Sequence, residues 1–316
     1  MKSLQKPPGK KTSNIFLPLF PYVFLLILSG ILAVNYYVEQ KIAGRTLPVK
    51  VHSAPLYSYP MFQYSYEPYI TAKAAIVMDD ATKRIMYTKN PTLRLSTAST
   101  AKIMTTLVAV EHFKEDDELT IMRDTYEGTV VGFPVGEKVR FGDLLYAMLL
   151  PSGNDAAYTI AENYPGGIEA FVASMNEKAK QFRLDNTHFA DPAGLEDDGS
   201  FATVIDLARL CSEAMKSHLF ARIVSTKEKV FTTNTGRTYD IVNINRLLGT
   251  NGVIGIKTGQ TMGAGEVLTT AKVENGRRFI IVVMQSSDRF GDTQSLLNLI
   301  SNNIISYTPQ VPEPLP

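Results

Sequence analysis

The sequence lacks several features on which particular classes of protein depend. Its single cysteine, Cys211, excludes an intramolecular disulfide, so the fold has to be held together by its apolar core. The four histidines, His52, His112, His188 and His218, show no metal-ligand spacing, and we predict no metal site. The formal net charge is only +1, which gives no reason to expect nucleic acid as a partner.

Acidic residues are absent before Glu39, whereas lysines are frequent at the N-terminus. An uncharged run of 24 residues, Ile15 to Val38, lies between them and is long enough to span a bilayer as a helix. The positive-inside rule places residues 1–14 in the cytoplasm and the rest of the chain on the extracytoplasmic side of the cytoplasmic membrane. A cleaved signal peptide is the alternative, although the run is longer than usual and lacks a small-x-small cleavage site.

Two further stretches are rich in proline. Residues 39–70 contain four prolines and five tyrosines without a sustained period, and we predict an extended spacer there. The tyrosines could instead pack on the domain or contact polymer outside the cell. Residues 309–316 are predicted to form a Pro-rich tail, which leaves one folded domain between them, at 71–308.

Within this domain the hydrophobic pattern changes from strands to helices and back. Strands are predicted at 74–78, 84–87, 119–121, 138–140, 229–233, 237–242, 254–258, 266–273 and 279–284, and helices at 98–113, 141–161, 168–182, 204–216 and 292–305. An antiparallel sheet formed by the first and last strands, flanked by helices and with a helical lobe inserted at about 114–226, fits this order best. We therefore predict an α+β fold with a cleft between the sheet and the lobe.

Ser99-Thr100-Ala101-Lys102 lies at the start of the predicted helix 98–113. Residues three apart on a helix share a face, so the Lys102 amine can reach the Ser99 hydroxyl as a base reaches a nucleophile. Ile103, Leu107 and Val110 form an apolar stripe that would bury this helix and fix its first turn. The pattern Ser-x-x-Lys is common, however, and also occurs by chance at Ser3, so its meaning depends on other motifs.

Two such motifs follow in the sequence. Pro151-Ser152-Gly153-Asn154-Asp155 interrupts a helical block and offers a hydroxyl and an amide that can connect a base to a substrate. Lys257-Thr258-Gly259 ends a strand with a cation, a hydroxyl donor and a residue beside which another backbone can approach closely. Together they would supply support for a base and a clamp for an anion.

In this order the three motifs resemble those of the penicillin-binding proteins and serine β-lactamases. The longer strings STAKIMT (99–105), LLPSGNDAA (149–157) and GIKTGQTMGAG (255–265) look most like the low-molecular-mass D-alanyl-D-alanine carboxypeptidases of the serine peptidase S11 family. The strings FADPAGL (189–195) and NINRLL (243–248) also look family-like. The resemblance implies a β-lactamase/transpeptidase-like fold.

The resemblance also implies roles for the first two motifs. Ser99 would be the nucleophile that forms an acyl-enzyme, and Lys102 the base that takes its proton. Ser152 and Asn154 would complete the proton relay and hold the substrate amide. A neighbouring cation at Lys257, together with partial desolvation, would lower the pKa of Lys102 towards a useful range.

The third motif would bind the substrate. Lys257 and Thr258 would hold the terminal carboxylate of a stem peptide that ends in D-Ala-D-Ala. The backbone N–H groups of Ser99 and Gln260 would form an oxyanion hole, and the peptide would lie as an added strand along the segment that contains Gly259. The implied protein is a membrane-anchored serine carboxypeptidase that removes the terminal D-Ala from peptidoglycan stem peptides, needs no cofactor and is acylated by β-lactams.

Four other functions are alternatives to the carboxypeptidase. A DD-endopeptidase that cuts peptidoglycan cross-links would use the same residues. A β-lactamase of class A would need a Glu-x-x-Leu-Asn pattern after the second motif, which is missing. A β-lactam sensor would need a cytoplasmic effector, for which residues 1–14 are too short, and a non-catalytic wall-binding module would not need Ser99 and Lys102.

Overall fold

The computed structural model describes residues 20–43, 58–124, 127–195 and 198–309. The chain divides into two compact units, Met1–Leu56 and Tyr57–Pro316. Outside the described residues lie the predicted cytoplasmic tail 1–14, residues 15–19 of the predicted membrane segment, residues 44–57 of the predicted spacer and residues 310–316 of the predicted tail.

The first unit contains the helix α1, Phe20–Ala43. Its segment Pro21–Ile42 has a mean hydropathy of 1.7 and is long and apolar enough to cross a membrane. The prediction of an N-terminal apolar helix is therefore confirmed. The helix continues past Val38 to include Glu39 and Lys41, because both residues favour helix and do not break its backbone pattern.

The second unit is an α+β domain. Its helices are α2 (Lys102–Ala109), α3 (Phe141–Leu149), α4 (Asn154–Glu162), α5 (Gly167–Gln181), α6 (Val204–Ala214), α7 (His218–Val224) and α8 (Arg289–Ile300). Its strands are β1 (Tyr59–Phe62), β2 (Ala74–Asp79), β3 (Ile85–Lys89), β4 (Leu95–Ser96), β5 (Glu118–Thr120), β6 (Lys138–Arg140), β7 (Phe201–Ala202), β8 (Glu228–Thr232), β9 (Thr238–Val242), β10 (Val253–Thr261), β11 (Gly265–Glu274), β12 (Arg277–Ser286) and β13 (Ile304–Tyr307).

A five-stranded antiparallel sheet organises the described part of this domain, in the order β10-β11-β12-β2-β3. Successive side chains of β2 point to opposite sides of the sheet, and all of them are buried because both sides are covered. Ile76 and Met78 join the core that includes α2 and α6, whereas Ala75 and Val77 pack with Leu297 and its neighbours on α8. The predicted sheet of first and last strands, with helices on its faces, is thus confirmed.

The helix that carries Lys102 is shorter than predicted. The predicted helix 98–113 consists of a 3₁₀ turn, Ala98–Ala101, followed by α2, which ends at Ala109. Ala98 has a φ of +44°, a left-handed conformation that an α-helix cannot contain, so the regular helix starts only after the turn. The predicted apolar stripe is present, since Ile103 and Leu107 are buried.

The C-terminal end differs from prediction as well. The final helix α8 ends at Ile300, whereas the predicted helix runs from 292 to 305. Residues 304–307 form β13 instead. Asn302 has a φ of +53° and stops the helix. Strand β13 pairs with β1, so Tyr59–Phe62, in the predicted spacer 39–70, is a strand of the second unit.

Candidate active site

Ser99 and Lys102 lie where the 3₁₀ turn continues into α2. Lys102 Nζ donates a hydrogen bond of 2.8 Å to Ser99 Oγ, which is the contact that the spacing of the motif predicts. Ser99 is half-buried, whereas the Lys102 side chain has no exposed surface at all. The structure therefore brings together a partly accessible hydroxyl and a fully buried amine.

Burial is the main cause of the lowered pKa of the Lys102 amine. Removal from water lowers the pKa of the Lys102 amine to about 7, against the charges of Asp191 and Asp155, which favour the protonated form. The sequence predicts a pKa lowered by the Lys257 charge and by partial desolvation. In the structure the amine is fully buried, and its desolvation is the main cause of the lowered pKa.

Two acceptors besides Ser99 fix the orientation of the Lys102 amine. Lys102 Nζ donates to Asn154 Oδ1 and to the backbone oxygen of Ala193, both at 2.7 Å. These two oxygens can only accept hydrogen bonds, whereas the Ser99 hydroxyl can also donate. When Lys102 loses its proton, its two remaining N–H groups stay on Asn154 and Ala193, and its lone pair faces Ser99.

The second motif lies beside this pair. Asn154 begins α4, and its Nδ2 donates to the backbone oxygen of Glu127 at 2.6 Å, so the whole amide group is engaged. In this arrangement Asn154 holds Lys102 in place. Ser152 lies in the loop between α3 and α4 with a φ of +75°, a conformation that costs a non-glycine residue about 1–3 kcal/mol. That strained turn directs Ser152 to the same cleft as Ser99.

The third motif lies on β10, at one edge of the central sheet. Gly259 comes so close to the 3₁₀ turn that an added Cβ would lie 3.1 Å from the backbone nitrogen of Ser99. The buried Lys257 donates through Nζ to the backbone oxygen of Thr258 at 2.8 Å. Burial lowers the pKa of Lys257 well below its usual value, and the charges of Lys102 and Arg289 lower it further.

A cleft of about 200 Å³ joins the three motifs. It is lined by Ser99, Thr129, Ser152, Ile244, Thr258, Gly259, Gln260 and Arg289. Lys102, Asn154 and Lys257 lie behind this surface as buried residues. The eight predicted site residues therefore converge on one place, and within the described residues no cluster of histidine, cysteine and carboxylate side chains that could hold a metal ion is found.

This arrangement agrees with comparisons to known proteins. A model of the family Peptidase S11, D-alanyl-D-alanine carboxypeptidase, matches residues 62–288. The chain belongs to this family. It is accordingly a serine hydrolase of the penicillin-binding, D-alanyl-D-alanine carboxypeptidase kind, as its sequence motifs predict.

Individual S11 relatives are similar over most of the second unit. The D-alanyl-D-alanine carboxypeptidase DacF of Bacillus subtilis is 34% identical over 224 residues, which cover 68% of this chain and 58% of that protein. The D-alanyl-D-alanine carboxypeptidase of Streptomyces sp. strain K15 is 34% identical over 255 residues, 73% of this chain and 88% of that one. The crystal structure of the Streptomyces K15 DD-transpeptidase has a TM-score of 0.70 at 32% identity and covers 74% and 98% of the two chains. The predicted fold class is thereby confirmed.

Sequence reasoning missed two contributors to this S11 site. Asp191 accepts hydrogen bonds from the backbone nitrogens of Ala193, Gly194 and Leu195 at 2.6–3.0 Å. The carboxylate thereby folds the loop that presents the Ala193 oxygen to Lys102. The string FADPAGL contains this signal, because an aspartate followed by small residues and glycine favours such a turn.

Arg289 is the second missed contributor. It begins α8, lines the cleft, and donates through Nη1 to the backbone oxygen of Gly259 at 2.8 Å. Burial lowers the pKa of Arg289, but a guanidinium keeps its proton at neutral pH. No local pattern marks this residue, since it reaches the cleft only through the packing of α8 on the sheet.

Gly194 supports the conformation of the residue before the nucleophile. Its φ is +78°, and an added Cβ would lie 1.9 Å from the backbone oxygen of Ala98. Ala98 is itself left-handed. A side chain at 194 would therefore displace the turn that carries Ser99.

The Gly194→Ala variant is expected to lose about 3 kcal/mol or more of unfolding free energy, because backbone strain and a backbone clash add. Denaturant unfolding measures this loss. Gly236→Ala is the matched control, since Gly236 has a φ of +82° with no atom within 4 Å of an added Cβ. The control should lose about 1 kcal/mol from strain alone. Equal losses in the two variants would contradict the packing argument.

Proposed function

We propose that this protein removes the terminal D-alanine from peptidoglycan stem peptides that end in D-Ala-D-Ala, through an acyl-enzyme on Ser99. The observation that carries the proposal is the contact of 2.8 Å between Ser99 Oγ and the buried Lys102 amine, whose pKa is lowered to about 7. An amine with that pKa is neutral in a large fraction of molecules at physiological pH. It can then act as a general base without a cofactor.

Acylation follows from the orientation of Lys102. Ser99 Oγ attacks the carbonyl carbon of the penultimate D-Ala while its proton passes to the lone pair of Lys102 Nζ. The bond from that carbon to the nitrogen of the terminal D-Ala then breaks, and the proton moves from Lys102 to the leaving amine, with the Ser152 hydroxyl as relay. The products are free D-Ala and an ester on Ser99, and Lys102 is neutral again.

Deacylation reverses the same proton transfers with water in place of the amine. Lys102 takes a proton from water, whose oxygen attacks the ester carbonyl carbon. The bond to Ser99 Oγ breaks, and the proton returns from Lys102 to Ser99. Asn154 and the Ala193 backbone oxygen keep two N–H groups of Lys102 engaged throughout, so the amine does not turn away from the reacting atoms.

Negative charge on the substrate is accommodated along β10. The N–H groups of Ser99 and Gln260 bind the oxyanion of the tetrahedral intermediate, which is supported by the close approach of Gly259 to the 3₁₀ turn. Each such donor contributes on the order of 3 kcal/mol. Lys257, Thr258 and Arg289 hold the terminal carboxylate, and the peptide adds as a strand at the sheet edge that β10 forms.

The location follows from the substrate and the N-terminal helix. Peptidoglycan lies outside the cytoplasmic membrane, and α1 is long and apolar enough to anchor the chain there. The lysines before α1 orient residues 1–14 to the cytoplasm. The protein is then a single-pass membrane protein whose catalytic domain, 71–308, acts on the extracytoplasmic side.

Release of D-Ala from diacetyl-L-Lys-D-Ala-D-Ala by the purified full-length protein tests this proposal. We expect release from this peptide, none from the L-Ala-L-Ala form, and complete inhibition by prior incubation with penicillin. Absence of release while penicillin still labels the protein would overturn the carboxypeptidase assignment. A cross-linked muropeptide would then be the substrate for the endopeptidase alternative.

A further inference from the structure

The loop that joins β9 to β10 contributes Ile244 to the lining of the cleft. Asn243 Oδ1 accepts from the backbone nitrogen of Asn245 at 2.9 Å, and Asn245 Oδ1 accepts from that of Leu247 at 3.2 Å. The backbone nitrogen of Ile244 donates to the oxygen of Leu150, next to the Ser152 turn. These bonds hold the backbone of the loop to itself and to the segment that leads into the Ser152 turn.

Arg246 extends from this loop towards the cation that lines the cleft. Its guanidinium carbon lies 5.3 Å from the centre of the Phe290 ring, and that of Arg289 lies 5.1 Å from the same ring. The Phe290 ring thus contacts the guanidinium groups of both arginines. Arg289 is half-buried and lines the cleft, whereas Arg246 is exposed and is not one of the lining residues.

Positive charge remains at this pair, although the Glu266 carboxylate lies near Arg289. Across the described ranges, ion pairs involve neither Arg246 nor Arg289. Burial lowers the pKa of Arg289, whereas the Glu266 charge raises it. The Arg246 charge lowers the pKa of Arg289 further, because the two cations repel each other. Such repulsion is relieved when a carboxylate binds beside both groups.

We propose that Arg246 is a specificity-determining residue that selects peptides with a free terminal carboxylate, by attracting that carboxylate into the Arg289 end of the cleft. The inference rests on the proposed function. Arg246 contacts none of the reacting atoms and acts through its charge. An exposed charge of this kind accelerates association of an anionic substrate and is screened by salt.

The Arg246→Gln variant is expected to lower kcat/KM for diacetyl-L-Lys-D-Ala-D-Ala about three- to ten-fold at low ionic strength, with kcat unchanged. The difference from the unmodified protein should shrink below two-fold at 0.5 M salt. For the same peptide with an amidated C-terminus, the variant and the unmodified protein should have equal kcat/KM. Arg246→Lys should restore most of the loss, because it restores the charge.

Arg183→Gln is the matched control, since Arg183 is exposed and lines a different cavity with Gln181 and Phe182. It removes the same charge and should leave kcat/KM and its salt dependence unchanged. A salt dependence that is the same in Arg246→Gln as in the unmodified protein would overturn the inference, as would an equal loss in Arg183→Gln. If the unmodified protein releases no D-Ala at all, the proposed function fails instead, which separates the two results.

Discussion

The Ser99→Ala variant is expected to lose release of D-Ala by at least about 10⁴-fold and to lose covalent labelling by penicillin entirely. Without Oγ there is no hydroxyl on which an acyl group can form. The Lys102 amine does not replace it, because this amine is buried behind the cleft surface. The loss should appear in kcat, because the residues that hold the carboxylate are untouched. Release of D-Ala and fluorescent-penicillin labelling on a gel measure both effects.

Two controls test whether the Ser99→Ala variant stays folded and whether the effect is specific to Ser99. The thermal unfolding midpoint of Ser99→Ala should stay within a few degrees of the unmodified protein, because Ser99 is only half-buried. Ser3→Ala alters the chance match to the same pattern and should change nothing. Labelling that survives Ser99→Ala would show that another residue is the nucleophile.

The Lys102→Arg variant is expected to acylate about 10³- to 10⁴-fold more slowly, although it keeps a positive charge at the same place. An arginine side chain does not give up its proton and so cannot accept one from Ser99. In the unmodified protein, where burial lowers the pKa of Lys102 to about 7, the neutral amine is the active form. The acylation rate should therefore rise about ten-fold per pH unit below pH 7 and level off above it.

The pH profile distinguishes a base from a residue that is merely structural. Lys102→Arg should lack the rise near pH 7 altogether. Lys178→Arg is the matched control, because Lys178 is a buried lysine that pairs with Glu111 away from the cleft, and its profile should be unchanged. A rise near pH 7 that persists in Lys102→Arg would assign the titration to another group.

The sequence could predict the reacting groups because their relation is local. Ser99 and Lys102 lie three residues apart in one turn, and the turn pattern around Ser152 places that residue between two helices. The prediction that the Lys257 motif ends a strand was wrong, because β10 continues to Thr261. The meeting of the first and last strands in one sheet could be predicted as well, since the apolar segments at both ends of the domain need each other to bury β2. These features depend on neighbouring residues and on simple topology.

Other parts of the site depend on contacts that leave no local pattern. The string FADPAGL favours the turn that contains Ala193, but no pattern in it shows that the backbone oxygen of Ala193 is the third acceptor for Lys102. Arg289 enters the cleft through the packing of α8, and β13 forms because β1 offers it a partner. The extent of Lys102 burial also follows from the whole core, which is why the sequence overstated the effect of Lys257 on its pKa.

The most direct test of the account is to trap the acyl-enzyme and locate it. The full-length protein would be mixed with penicillin, quenched in acid, digested and analysed by mass spectrometry. We predict one adduct with the mass of intact penicillin, on the peptide that contains Ser99, and its absence when the protein is held well below pH 7 during brief mixing. An adduct on any other residue, or none at neutral pH, would contradict the central claim that Ser99 is the nucleophile activated by Lys102.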